Sequence, residues 1–311
     1  MIYHLQCHVL LHLSLTKNMR LESNSTNTDC TSLKQFSQWL LDIGDGNFGQ
    51  PNDGFAEITI PSEFFIKDYN DPLEAIVNAT YPNLLQLYNN AEFLQSRAIL
   101  ASTVEVVDKI NEYVMSFIPG DKKEYYSADT IDKSDKLQNP AFESVTSEFL
   151  NSLKTSGLPN HKIKLKVGTP IMLLRNLDQS EGLCNGTRLN VTRLGNHVIE
   201  AKIISGKNIG HLTYIPRMNL SPSQSSWPFK LIRRQFPFMV SFAMTINKSQ
   251  GQSLAHVGLY LPKPIFSHGQ LYVALSKVQS KEGLHILIHD QEGKASNTTT
   301  NVVYREVFEN L

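Results

Sequence analysis

Hydrophobic positions follow two rhythms along this chain, helical toward both ends and strand-like in the middle. Phe36, Leu40 and Ile43 recur at helical spacing and predict a short amphipathic helix over 36–43. A turn-rich run from Gly44 to Gly54 follows, then a brief strand at 58–60 and a helix over 71–79 with Pro72 at its first position, where no N–H is needed. Ala98–Ser102 is a compact apolar run that passes directly into Val104, Val107, Ile110, Val114 and Phe117, one face of a helix with Thr103 as its cap and Glu105 in its first turn. A buried strand feeding a helix is half of a βαβ unit.

After about Tyr126 the period drops to two. Lys162–Val167 alternates strictly, with Ile163, Leu165 and Val167 on one side and Lys162, Lys164 and Lys166 on the other. Further strands are predicted over 170–174, 188–194, 198–204, 211–217 and 229–232, separated by Gly and Asn turns, a pattern that suits a small antiparallel barrel. From Phe238 the first rhythm returns, with apolar runs at 238–244, 257–261 and 285–288, and 293–301 reads as a polar linker. The simplest architecture is one α/β domain interrupted by a β insertion.

Composition changes this picture little. The 311 residues are 41% hydrophobic and 19% charged with a formal net charge of zero, so any contact with nucleic acid must come from local patches. Cys7, Cys30 and Cys184 form no CxxC pair, which argues against a zinc ribbon or disulfide framework and for a reducing compartment. The apolar start, Met1–Leu15, carries no Lys or Arg, is interrupted by His4, His8 and His12, and is too short to span a bilayer. It reads as part of a fold that begins earlier, and no membrane partner is expected.

Two motifs mimic chemistry. Gly44-Asp-Gly-Asn-Phe-Gly49 has the glycines of a phosphate loop, but a helix precedes it and Gln50-Pro51 stands where Lys-Ser/Thr is needed, so a solvent loop is expected. His4, His8 and His12 with Cys7 have ligand spacing, yet read as the mixed face of one element; no metal site is expected.

Three segments carry more. Ala243–Leu254 takes a buried strand into the polar cluster Thr245, Asn247, Lys248, Ser249, Gln250 and Gly251, which opens a helix at a strand's carboxyl end, where α/β sheets bind ligands. Gly269–Ser280 reads as a helix with Leu271, Ala274, Leu275 and Val278 buried, and with Gln270 and Lys277 seven apart on one face. Leu15–Leu21 sets Arg20 among apolar residues.

Together these segments resemble the Pif-type (petite integration frequency) helicases and the helicase portion of Helitron transposons. Leu15–Leu21 looks like their motif IV, Thr245–Leu254 like motif V and Leu271–Ser280 like motif VI; 151–177 and 182–188 are similar to the family's 2B insertion, and 301–307 to Helitron-type ends. The resemblance implies a RecA-like second motor domain of the P-loop NTPase type: its first part over 1–126, an inserted 2B barrel over 127–228, a return over 229–292 and a tail over 293–311. It implies an ATP-dependent 5′-to-3′ DNA helicase acting in repair, recombination or telomere maintenance, with ATP and Mg held only together with a first RecA-like domain that carries the P-loop and magnesium carboxylates, which this sequence lacks.

By the same resemblance Arg20 and Lys277 occupy arginine-finger positions, lysine lacking the planar fork that grips phosphate bidentately. Gln250 and Gly251 face the nucleotide; Thr245, Asn247, Lys248 and Ser249 face single-stranded DNA, gripped weakly and without regard to sequence. Lys162, Lys164 and Lys166 either extend that track or form the wet side of an edge strand; Lys230, Arg233 and Arg234 are a second basic group of the same standing. The expected protein is a monomer in the nucleus, with the mitochondrion as alternative. The competing reading is a non-catalytic DNA-binding or interaction module.

Overall fold

The computed structural model describes residues 29–306 apart from 50–53, 133, 135–138, 140, 141, 143, 156, 223–226, 291 and 305. Arg20, Cys7 and the histidines before residue 13 lie outside the described residues, and so do the readings placed on them.

In chain order the elements are α1 (Asp29–Gly44), β1 (Phe55–Thr59), α2 (Pro72–Thr80), α3 (Leu84–Leu87), α4 (Ala91–Gln95), β2 (Arg97–Ala101), α5 (Val104–Phe117), β3 (Lys123–Tyr126), β4 (Ala128–Ile131) and α6 (Ser147–Ser152). There follow β5 (Lys162–Leu165), β6 (Pro170–Leu173), β7 (Arg188–Leu194), β8 (Val198–Ile203), β9 (Leu212–Pro216), β10 (Met218–Leu220), β11 (Leu231–Gln235) and β12 (Phe238–Val240). The chain closes with β13 (Ala243–Thr245), β14 (His256–Leu261), α7 (Gln270–Leu275), β15 (Leu284–Ile288) and β16 (Thr298–Val302).

The α/β part is built on a four-stranded sheet in the order β13-β2-β14-β15, parallel throughout. Alternation along the strands makes three layers. Ala98 and Leu100 join Phe36, Leu40 and Ile43 of α1 and Leu271 and Leu275 of α7 on one face; Ile99 and Ala101 join Ile76 of α2 and Val107, Ile110 and Val114 of α5 on the other. Asp71 caps α2 by accepting the N–H groups of Leu73 and Glu74, with Pro72 at the first turn as expected. The approach of α2 to the sheet requires Gly258, since a Cβ there would collide with the Thr80 hydroxyl and meet Ile76 Cδ1 at 3.1 Å.

The insertion is antiparallel, as its period predicts. Its strands form an open five-stranded sheet, β12-β6-β7-β8-β9, with a three-stranded sheet β10-β11-β4 and the pair β3-β5 alongside; among the described strands no closed barrel forms. Pairing carries this unit from Lys123 to Val240, wider at each end than the texture of the sequence indicated. It holds two small cores, one around Ile171, Leu189 and Phe236 and one around Leu150, Leu220 and Leu231.

Three local readings change. Val167 is 48% exposed because β5 stops at Leu165 and Gly168 turns the chain at φ +86°, with Thr169 Oγ1 accepting the Lys166 N–H. The apolar run 238–244 is not one strand: β12 pairs with β6 in the insertion and β13 with β2 in the parallel sheet. The polar stretch before residue 302 is not a linker but contains β16, which pairs with β1; Asn301 is buried there and donates from Nδ2 to the Ile43 carbonyl at 2.8 Å.

Candidate nucleic-acid interface

Two buried strands end side by side and deliver polar residues to one place. β2 and β13 run in register, Ala101 against Thr245, so that Ser102-Thr103 and the start of α5 leave the sheet next to the turn that follows Thr245. A cleft of about 640 Å³ opens there, lined by Ser102, Thr103 and Glu105 from one strand end and Thr245, Asn247, Lys248 and Gln250 from the other. Phe266 and Gln270 close it from the side of α7, and Asn185 and Gly186 from the insertion. Gln252 Nε2 donates to the Gly186 carbonyl at 3.0 Å and ties the turn to the insertion.

The turn differs from the helix expected after Thr245. Ile246–Ser249 is a single 3-10 turn, and Gly251 at φ +80° then redirects the chain toward β14. This geometry separates the residues of the cluster. Thr245, Asn247, Lys248 and Gln250 reach the cleft; Ser249 is fully buried, its hydroxyl donating to the Ile246 carbonyl at 2.6 Å, so it cannot face a DNA strand. Gly251 stands in open space, with no atom within 4 Å of where a side chain would start.

The electrostatics of the cleft are mixed. Burial, and then the positive charge of Arg175, push the Lys248 ammonium below the usual lysine value, so an incoming anion would relieve both causes. Glu105 opposes it: its carboxyl is held below the usual range by its own backbone N–H and by the Thr103 hydroxyl, and stays ionised at the mouth of the site. Thr103 does begin α5, but its side chain serves Glu105 rather than capping a backbone N–H of the helix. Ser102 Oγ and Gln270 Oε1 are buried against the cleft with no hydrogen-bond partner among the described residues, an arrangement that costs about 1–3 kcal/mol per group unless a ligand completes it. Sequence reasoning missed Ser102 and the place of Thr103 and Gln270 in the cleft lining; the signal available was a polar pair directly behind a buried strand.

Lys277 is not brought to this cleft. α7 ends at Leu275 and Lys277 sits in the turn behind it, where its carbonyl accepts the Leu254 N–H at 2.9 Å, so the seven-residue spacing from Gln270 is not carried on one helix. The buried stripe Leu271, Ala274, Leu275 and Val278 forms as expected.

The lysine row of β5 is occupied by ion pairs within the protein. Lys162 meets Glu124 at 2.7 Å, Lys164 meets Glu112 at 2.6 Å, and Lys166 donates to the Ile118 carbonyl at 2.5 Å. These bonds fasten β5 to β3 and to α5 and its C-terminal end, which favours the structural reading of the row over a DNA track. Arg233 leaves the second basic group altogether: it is buried against both Asp129 oxygens and the carbonyls of Leu150, Leu153 and Pro159. Lys230 pairs with Asp132 at 3.1 Å. Nearby, Ser127, His161 and Asp129 have the composition of a catalytic triad without its order, since the Ser127 hydroxyl donates to Asp129 at 2.6 Å and lies 2.8 Å from His161 Nδ1.

Comparisons with known proteins agree with one another. A family model described as PIF1-like helicase matches residues 4–54, and one for the 2B domain of DNA helicase Pif1 matches 148–194. The ATP-dependent DNA helicase PIF1 of Xenopus laevis is 28% identical over 207 residues, 65% of this chain and 29% of that protein. The human protein of the same name is 32% identical over 154 residues, 48% of this chain and 23% of its own length. Among solved structures, Pif1 helicase from Candida albicans superposes with a TM-score of 0.55 at 22% identity, covering 89% of this chain and 56% of that one. Bacteroides Pif1 bound to single-stranded DNA matches with a TM-score of 0.44 at 23% identity, over 71% of this chain and 49% of that one. The chain spans less than a third of the curated relatives named here.

Proposed function

We infer that this chain, which is Pif1-like in sequence and has a RecA-like fold, serves an ATP-dependent DNA helicase as its second motor wall and grips single-stranded DNA by the phosphate backbone in the cleft at the ends of β2 and β13. One observation carries the reading: Lys248, Thr245 and Asn247 converge with the unpartnered Ser102 hydroxyl at the carboxyl edge of a parallel sheet. Lys248 and the hydroxyls suit phosphate oxygens, and a grip on the backbone is independent of sequence. A 5′-to-3′ direction comes from the family resemblance alone.

The same resemblance brings ATP and Mg. Among the described residues Gln250 lines the cleft, and Lys277 lies in the turn after α7, where its carbonyl accepts the Leu254 N–H. What they offer is one wall: Gln250 at the cleft and a cation behind α7.

Binding of a fluorescein-labelled thymidine oligomer, followed by anisotropy across a salt series, tests the grip. Lys248→Ala should weaken binding at every sequence and lower the slope of log affinity against log salt by roughly 0.7. An unchanged slope would place the contact elsewhere.

A further inference from the structure

Beside the phosphate cleft runs a row of exposed rings. Phe266, 61% exposed, lines the cleft and stacks on no protein ring among the described residues. Two residues on, His268 is exposed and lies flat on Tyr304, with 5.7 Å between ring centres and planes 11° apart. Tyr304 in turn meets Phe55 edge-on at 6.0 Å. Phe55, Tyr304 and Phe266 all remain exposed, the first two joined through ring contacts to His268 and Phe266 two residues before it in the chain.

The row is held rigidly. His268 Nδ1 accepts the Tyr304 N–H at 3.0 Å, which fixes the ring's orientation against Tyr304. The Gly269 N–H donates to the Val302 carbonyl and the Val303 N–H to the Gly54 carbonyl, both at 2.9 Å, so the segment is pinned to the β1–β16 ribbon. Gly54, at φ +96°, lies under Tyr304, and any side chain there would collide with the ring. The segment from Lys263 to Gln270 contains no acidic residue, and Phe266 and Gln270 at its ends of interest both face the cleft.

We propose that Phe266 and His268, with His268 backed by Tyr304, form a stacking platform for the bases of a single strand whose phosphates lie in the Lys248 cleft. The occupant is set by continuity: Phe266 lines the same cleft as Lys248 and His268 follows it by two residues, and every base offers the flat face these rings match. A preset stack on Tyr304 lowers the ordering cost that a lone surface histidine would meet. The platform rests on the phosphate grip inferred above.

The experiment separates the two. The full chain is titrated with a fluorescein-labelled thymidine oligomer and with an abasic oligomer of equal length, which keeps the phosphates and removes the bases. Wild type should bind the thymidine oligomer about tenfold more tightly. Phe266→Ala and His268→Ala should each shrink that difference, Phe266→Tyr should restore it, and Lys248→Ala should weaken both oligomers alike. A 2-aminopurine base in the oligomer should be quenched by wild type and not by the alanine variants. Equal affinity of wild type for both oligomers, or an unchanged difference in both alanine variants, would overturn the platform and leave the phosphate grip standing. Failure of wild type to bind either oligomer would remove both.

Discussion

Glu105 and Lys248 set the charge of the cleft from opposite sides, and each can be tested alone. Glu105 holds a carboxylate at the mouth of the cleft, so Glu105→Gln should tighten binding of single-stranded DNA about three- to fivefold at low salt, roughly the effect of one unit charge about 4 Å away fully screened by water. Weaker binding by that variant would mean that the carboxylate supports the ligand rather than repelling it. Lys248 works in its charged form, and burial together with Arg175 lowers its pKa, so its charge is lost at a lower pH than the 10.5 of a free lysine. Affinity should therefore fall as pH rises on the alkaline side, beginning before an ordinary lysine would titrate, and Lys248→Arg should flatten the profile. A profile identical in the two proteins would take Lys248 out of the contact.

At the scale of elements, what the sequence showed and what it hid have physical reasons. The helices and strands of the sheet were readable because each buries a face with one period, as α5 does with Val107, Ile110 and Val114. Thr245, Asn247 and Lys248 were readable as a polar cluster behind a buried strand. The burial of Ser249 was not, because the choice between a helix and a 3-10 turn depends on Gly251 and on contacts with the insertion. The split of 238–244 was hidden for a similar reason: both halves are apolar, and distant side chains hold the break, Asn111 bonding Val240 and Ala243 on either side and Tyr81 bonding the Phe242 carbonyl. Arg188 of β7 is a third, buried and donating to the carbonyls of Gln95 at 3.2 Å and Ser241 at 3.1 Å, close to Tyr81, whose hydroxyl pKa burial pushes up to about 12. It joins the insertion to the motor sheet at the point where the chain crosses between them. Arg188→Leu would strand the buried Ser241 carbonyl and the part-buried Gln95 carbonyl and should destabilise the protein by about 3 kcal/mol in urea unfolding, with new protease sensitivity near Phe242. A variant as stable as wild type would show the junction to be held by apolar packing alone.

For the molecule as a whole, the division of labour between binding and hydrolysis is the point most open to measurement. Phosphoryl transfer in P-loop motors depends on a loop that cradles the phosphates, a metal ion held by carboxylates and a cation on the opposite wall. No GxxxxGK[ST] run occurs in these 311 residues, and Gly44–Gly49, which has the glycines, follows a helix and packs Gly46 under Val303 rather than opening a phosphate cradle. The cation candidate in the described part, Lys277, lacks the fork of arginine and stands behind α7 rather than with Gln250. The cleft at Lys248, by contrast, is assembled wholly from groups the chain supplies. The two properties should therefore separate: these 311 residues should retain salt-sensitive binding of single-stranded DNA while phosphate release from ATP stays at background with or without the strand. Hydrolysis stimulated by single-stranded DNA and abolished by Lys277→Ala would show instead that one wall suffices, and that the turn behind α7 reaches a nucleotide which its position beside Leu254 does not suggest.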